Sequence, residues 1–250
     1  PCGVPEVRLG PRDSGALPAE LFTLPFEKVL IWPFYDFIKK WFSHPHACDR
    51  RMGTIGERRI PMKRTGLYFD GPGPENTRAA LEAVSARVGK GGIDTVIVPS
   101  CSGRTALAAL EVLGSKARLV VVTHVAGFDK PNVQEMPEET RKALEGKGAS
   151  VFTGQHAFGG VGRGIRNRFA TYQIDEIMAG TLRTFGQGTK VAVEIALMAA
   201  DAGLARSGKD CVSMGGTEEG VDTALVVAPA NSFRFFDLKV REVICKPFMF

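Results

Sequence analysis

Apolar positions along this chain keep two different periods, and the points where one gives way to the other mark the expected elements. From residue 65 onward, short continuous apolar runs alternate with longer segments in which apolar residues recur every three or four positions. The runs GLYFD, DTVIVPS, ARLVVVTH, ASVFTG, DCVSMGG and TALVVAP read as strands. DTVIVPS and ARLVVVTH carry no polar residue at their centres, the pattern of strands covered on both faces of a parallel sheet. LKVREVICKP alternates instead, as a partly exposed edge strand does. Between these runs, NTRAALEAVSARVGK puts Leu81, Val84 and Val88 on one helical face behind Asn76 or Thr77 as cap. GRTALAALEVLG is helical and stops at Gly114. MPEETRKALEGKG opens on Pro137 and two glutamates and closes at Gly148, which is helix punctuation at both ends. YQIDEIMAGTLRTFGQG and TKVAVEIALMAADAGL predict two consecutive helices, with Ile174, Ile177, Met178 and Phe185 on one apolar face and Val191, Ile195 and Met198 on the other. Strands alternating with helices predict a three-layer α/β/α sandwich on a mostly parallel sheet over residues 65–250.

Residues 1–64 follow another pattern. The first 20 are rich in Pro and Gly without a sustained period, which suggests an extended arm. In FEKVLIWPFYDFIKKWF, residues Phe34, Phe37, Ile38 and Trp41 share helical spacing, and Pro33 would occupy the first turn. Arg50, Arg51, Arg58, Arg59, Lys63 and Arg64 then concentrate positive charge. An aromatic amphipathic helix beside a basic stretch can pack on its own domain or oligomer, or else dock on a larger assembly or an anionic membrane surface. The first of these needs nothing beyond ordinary packing and solvation.

Composition changes this picture little. A formal charge of +5, from 32 basic and 27 acidic residues, is a mild preference for anionic partners, and no nucleic-acid motif or aromatic-studded basic groove accompanies it. Cys2, Cys48, Cys101, Cys211 and Cys245 are scattered without a close pair, which argues against a disulfide framework or a zinc site and for reduced thiols in the cytoplasm; no metal is expected. No apolar stretch reaches the length of a membrane span.

Candidate chemistry gathers where strands end. In an α/β sheet, ligands bind beyond the carboxyl ends of the strands, where the winding reverses. After DTVIVP, the stretch SCSGRT offers the hydroxyls of Ser100, Ser102 and Thr105, the small Gly103 and the cation of Arg104 at the start of a helix, where free N–H groups and the helix dipole attract an anion. A serine–glycine turn is also simply how a strand enters a helix. A second loop, GGTEEGVDT, offers Gly215, Gly216 and Thr217, with Asp222 as an acceptor or cap. A third, after LVVV, carries Thr123, His124 and the turn-forming Gly127; His124 is a candidate acid or base, although a lone histidine there is more often structural. The same applies to His156.

Several chemistries are excluded. GGVGRGIRNR has Ile165 where a third dinucleotide-binding glycine would stand, which leaves Arg163, Arg166 and Arg168 to reach a phosphate or another subunit, or the segment to act as a glycine-rich lid. The chain has no P-loop, no H-E-x-x-H pair and no G-x-S-x-G elbow. Arg104 follows Cys101 too closely for a phosphate-wrapping cysteine loop. Glu194 and Asp201 share a helix face and so could share a pocket, but Lys190, four residues before Glu194, explains that glutamate as a helix-surface ion pair.

SGRTA after a buried strand, with the later GGTEEGVDTA, resembles the C-terminal α/β domain of pyruvate kinase. PGPENT, LRTFGQGTKVAVEIALMAADAGL, GGTEEGVDTALVVAPA and VREVICKP are similar to a family of small stand-alone prokaryotic proteins built on that domain, over residues 66 to about 247. The resemblance implies a phosphate-bearing small ligand, with flavin mononucleotide (FMN) as the cofactor associated with such a relative. It implies Ser102, Gly103, Arg104 and Thr105 as its phosphate loop and Gly215, Gly216 and Thr217 as the facing loop. It implies no pyruvate kinase activity, because the catalytic barrel is not in this sequence. Residues 1–64 depart from the family pattern. Two functions are therefore expected to compete: binding of FMN or a similar phosphometabolite, as an oxidoreductase or a sensor, and service as an accessory subunit of a homo-oligomer or larger complex. An enzyme acting on a sugar phosphate would need His124 or Asp222 as its acid or base.

Overall fold

In the computed structural model, which describes residues 64–250, the apolar runs pair into one sheet of seven strands. In chain order these are β1 (Leu67–Phe69), β2 (Thr95–Pro99), β3 (Arg118–Val122), β4 (Ser150–Phe152), β5 (Cys211–Gly215), β6 (Thr223–Ala228) and β7 (Lys239–Pro247). Their order across the sheet is β1-β7-β6-β5-β2-β3-β4. The pairs β1·β7, β5·β2, β2·β3 and β3·β4 are parallel, whereas β6 runs antiparallel to both β5 and β7. The arm expected over residues 1–64 lies, apart from Arg64, outside the described residues.

Six helices connect or flank the strands: α1 (Thr77–Val88), α2 (Arg104–Leu113), α3 (Glu138–Gly146), α4 (Val161–Phe169), α5 (Ile174–Arg183) and α6 (Gln187–Asp201). Successive strand residues point to opposite faces, so Val96, Val98 and Val121 join Leu81, Val84, Ala109, Leu113 and Leu144 of α1, α2 and α3 in one core. Ile97, Val120 and Val122 join Ala192, Ile195, Ala196 and Ala199 of α6, and Ala179 of α5, in the other. Helices thus cover both faces of a mixed sheet.

Three expectations need correction. The strand Lys239–Pro247 is not the edge, because the three-residue β1 pairs outside its second half; Lys239 and Val240, beyond that cover, are exposed. The stretch expected as a glycine-rich loop or lid is the helix α4, which ends at Ala170 in a left-handed conformation (φ 53°). Its Gly162 and Gly164 lower helix propensity without abolishing it, since each costs only about 1 kcal/mol relative to Ala. The Lys190–Glu194 pair is not on a helix surface: both side chains are buried, because α6 lies between the sheet and the 153–160 segment, whose Phe158 N–H donates to Glu194 Oε1 at 2.9 Å.

Among the described residues Cys101, Cys211 and Cys245 are free thiols, and no helix is long and apolar enough to cross a membrane.

Candidate functional site

From β2 the chain winds outward through α2 and β3 to β4, then returns through α4, α5 and α6 to β5 on the other side of β2. The winding therefore reverses between two parallel strands, the position at which an open α/β sheet leaves a crevice. A cleft of about 780 Å³ opens there. The turn after β2 forms one wall with Ser100, Cys101, Ser102, Arg104 and Thr105; the β5–β6 hairpin forms the facing wall with Gly216, Thr217, Glu218 and Glu219. His124, Phe128 and Glu135 close one end, and Gln187 and Val191 of α6 form part of the floor.

The turn after β2 is built by packing. Gly103 has φ 91°, a conformation side chains resist, and a Cβ there would fall 2.2 Å from Thr140 Cγ2 of α3. The buried Ser100 hydroxyl accepts the Ala106 N–H at 3.4 Å, which satisfies one of the first-turn donors of α2. The N–H groups of Arg104 and Thr105 have no intrahelical acceptor by helical geometry, and both residues line the cleft.

Arg104 does not stand alone there. Its Nη2 donates to Glu219 Oε1 at 2.7 Å and its Nε to Ser102 Oγ at 3.3 Å. The cleft lining holds Glu135, Glu218 and Glu219 against this one arginine. These carboxylates leave no signal at the SCSGRT turn itself, because two of them sit in the opposing hairpin and the third in an aperiodic loop.

The remaining candidates stand behind the walls. Asp222 is buried and accepts from Thr223 Oγ1 at 2.8 Å and Thr217 Oγ1 at 3.3 Å; burial pushes its carboxyl above the usual range, against the pull of those two hydroxyls. It braces Thr217 rather than lining the cleft. Gly215 packs against α6, where a Cβ would lie 2.0 Å from the Gly188 carbonyl oxygen. Thr123 is buried, with its hydroxyl on the His124 carbonyl at 2.9 Å and on Thr153 Oγ1 at 2.7 Å. Gly127, at φ 86°, donates to Val133 O at 2.9 Å and closes the turn that carries Phe128.

His124 lies in the cleft, stacked on Phe128 with ring centroids 4.0 Å apart, and its Nδ1 meets Glu135 Oε2 at 2.5 Å. His156 packs behind them and accepts the Val125 N–H on Nε2 at 3.4 Å, which leaves its other nitrogen to carry a proton toward Glu194. Burial lowers its pKa, with Glu194 opposing. Burial also pushes the Cys101 thiol up to about 11, so at neutral pH it is a thiol and not a nucleophilic thiolate. Glu194 and Asp201 do not share a pocket, since Asp201 bonds the N–H of Ser232 at 2.9 Å. Arg166 of α4 reaches Glu176 of α5 at 3.2 Å.

A smaller hollow of about 300 Å³ lies at the amino ends of β2, β3 and β5, near Asp94, Arg118 and Lys209. Lys209 is bonded to Asp94 and Arg118 to the Leu204 carbonyl, so two of its cations are already engaged. No family model matches the chain.

Proposed function

We propose that this chain is a domain of the pyruvate kinase C-terminal type that binds a phosphate-bearing small molecule in the cleft between β2 and β5. The observation that carries the reading is the convergence of the two loops at the reversal point, with the amino end of α2 and the hydroxyls of Ser102, Thr105 and Thr217 on one cavity. Anions settle at such a helix start because its N–H groups lack partners and its dipole is positive there. Arg104 supplies the charge once the ligand displaces Glu219.

FMN is compatible with this donor set. The cavity is in the range of small-ligand sites, the exposed ring of Phe128 offers an apolar face, and Ser102, Arg104, Thr105 and Thr217 would hold the phosphate. When bound, FMN would supply redox chemistry. Arg104 orients the phosphate, while Asp222 and Ser100 keep the two loops in place from behind.

The test is the absorption spectrum of the purified chain, with mass spectrometry of whatever heat releases, repeated on Arg104→Ala. A released phosphate compound that is absent from the variant supports the reading. A protein that arrives empty and takes up neither FMN nor inorganic phosphate sinks it.

A second reading is a subunit that associates with a copy of itself. It draws on the exposed apolar side chains of α4 and α5, Val161, Phe169, Ile174 and Ile177, beside the oppositely charged Arg168 and Asp175. Light scattering that finds only monomer at micromolar concentration excludes it.

A further inference from the structure

We propose that Cys101, His124 and Glu135 form a site for a divalent transition metal of the zinc class, with one coordination position open toward the cleft. The three residues come from the turn after β2, the end of β3 and the connection from β3 to α3. One sulfur, one ring nitrogen and one carboxylate oxygen lie within 4.8 Å of one another, and among the described residues no other trio of such groups is this close. The site stands on this geometry and does not need the phosphate reading.

The donor set selects the ion. Magnesium and calcium take oxygen ligands, whereas a sulfur and an imidazole together suit zinc and its neighbours. Three protein ligands with a vacant fourth position are the pattern of reactive zinc sites, in contrast to the closed four-ligand sites that only hold a fold together. Ligand atoms at roughly 2.0–2.3 Å from a common tetrahedral ion sit about 3.3–3.8 Å apart. The trio therefore has to close by about 1 Å at its widest. The His124 and Glu135 atoms, 2.5 Å apart in a hydrogen bond, have to open by roughly 0.8 Å or more as the ion takes the place of the proton between them.

The groups behind these ligands hold them in position. Gln134 Nε2 donates to the His124 carbonyl at 3.0 Å, and its Oε1 accepts the Met136 N–H at 3.1 Å, so the residues flanking Glu135 are tied to His124 itself. Phe128 stacks on the imidazole. Such outer contacts fix ring orientation and carry much of a site's affinity. Electrostatics favour a cation as well, because Glu135, Glu218 and Glu219 face a single arginine in this cleft.

The experiment titrates reduced, chelator-stripped, full-length protein with Co²⁺ alone in phosphate-free buffer. One Co²⁺ per chain is expected, with release of the Cys101 thiol proton, thiolate-to-cobalt charge-transfer absorption and displacement by Zn²⁺. Cys101→Ser should abolish the charge-transfer band. His124→Ala and Glu135→Gln should each weaken binding at least about tenfold, while Asp210→Asn, outside the cleft at the amino end of β5, leaves it unchanged. Absence of the band overturns the proposal, and so does a band that survives Cys101→Ser, which would place the thiolate elsewhere in the chain. Should Cys101→Ser fail to fold, X-ray absorption of the zinc-loaded wild type decides: one sulfur with nitrogen and oxygen neighbours supports the site, and no sulfur overturns it. Calorimetry with inorganic phosphate in the presence of chelator separates the two readings, because loss of phosphate binding with the cobalt band intact overturns only the function proposed above.

Discussion

Arg104 and Glu219 meet across the mouth of the cleft, Nη2 to Oε1 at 2.7 Å, with both side chains more than half exposed. The pair joins the helix start on one wall to the hairpin on the other. Exposed pairs of this kind contribute little to stability, so its consequence is for ligands: an incoming anion competes with Glu219 for the guanidinium. Glu219→Gln should tighten phosphate binding about fivefold, and Arg104→Ala should weaken it by a similar factor or more. Calorimetric titration measures both, and an unchanged affinity in Glu219→Gln would show that Arg104 takes no part.

Gly215 tests whether a glycine in the second loop serves packing or the ligand. Any side chain there meets backbone, the Gly188 carbonyl oxygen at 2.0 Å from the added Cβ, and backbone cannot step aside. Gly215→Ala should cost about 3 kcal/mol of stability, read by urea denaturation. A variant of normal stability would mean that α6 does not sit this close to β5.

Glu194 and Lys190 are both buried, and Glu194 also accepts the Phe158 N–H. Burial lowers the Lys190 pKa, and the carboxylate opposes that shift. Glu194→Ala would leave a buried ammonium alone and should cost about 3–5 kcal/mol. The double change Lys190→Met with Glu194→Leu should recover most of that loss. Equal destabilisation of the single and double variants would show that the lost acceptor for the Phe158 N–H, and not the stranded charge, is what matters.

His156 is half-buried and kept neutral by burial. A histidine whose pKa is depressed in the fold takes up a proton on unfolding at a pH where the native state does not, so stability rises with pH through the window below the unfolded value of 6.5 and is lost as pH falls through it. Wild-type protein should therefore melt at lower temperature at pH 5.5 than at pH 7.5, and His156→Gln should narrow that gap. Parallel profiles for the two proteins would assign the acid sensitivity to other groups.

Much of the architecture was legible from spacing. Every run expected as a strand between Gly66 and Pro247 is a strand; for the central runs such as DTVIVPS, ARLVVVTH and TALVVAP, this is because continuous apolar stretches have few other ways to be buried in an α/β chain. The helices of TKVAVEIALMAADAGL and MPEETRKALEGKG begin and end near their capping signals for the same local reason. The helix of residues 161–169 was missed because its glycines mask an apolar period carried by Val161, Ile165 and Phe169, which all remain exposed.

The candidate site was legible only in part. The turn after β2 shows itself because a strand, a Ser-Gly turn and a helix start are contiguous in the chain. By itself the sequence determined the elements and the turns between them, since those depend on neighbours two to four residues apart. The tertiary structure alone decided that β2 lies beside β5, that Lys190 and Glu194 are buried, that Glu219 holds Arg104, and that Cys101, His124 and Glu135 converge. An i,i+4 pair has the same spacing whether or not another segment covers it, and partners more than thirty residues apart, as Cys101 and Glu135 are, leave no periodic trace. Strand order and register bring them together, and both are set by long-range pairing across the sheet.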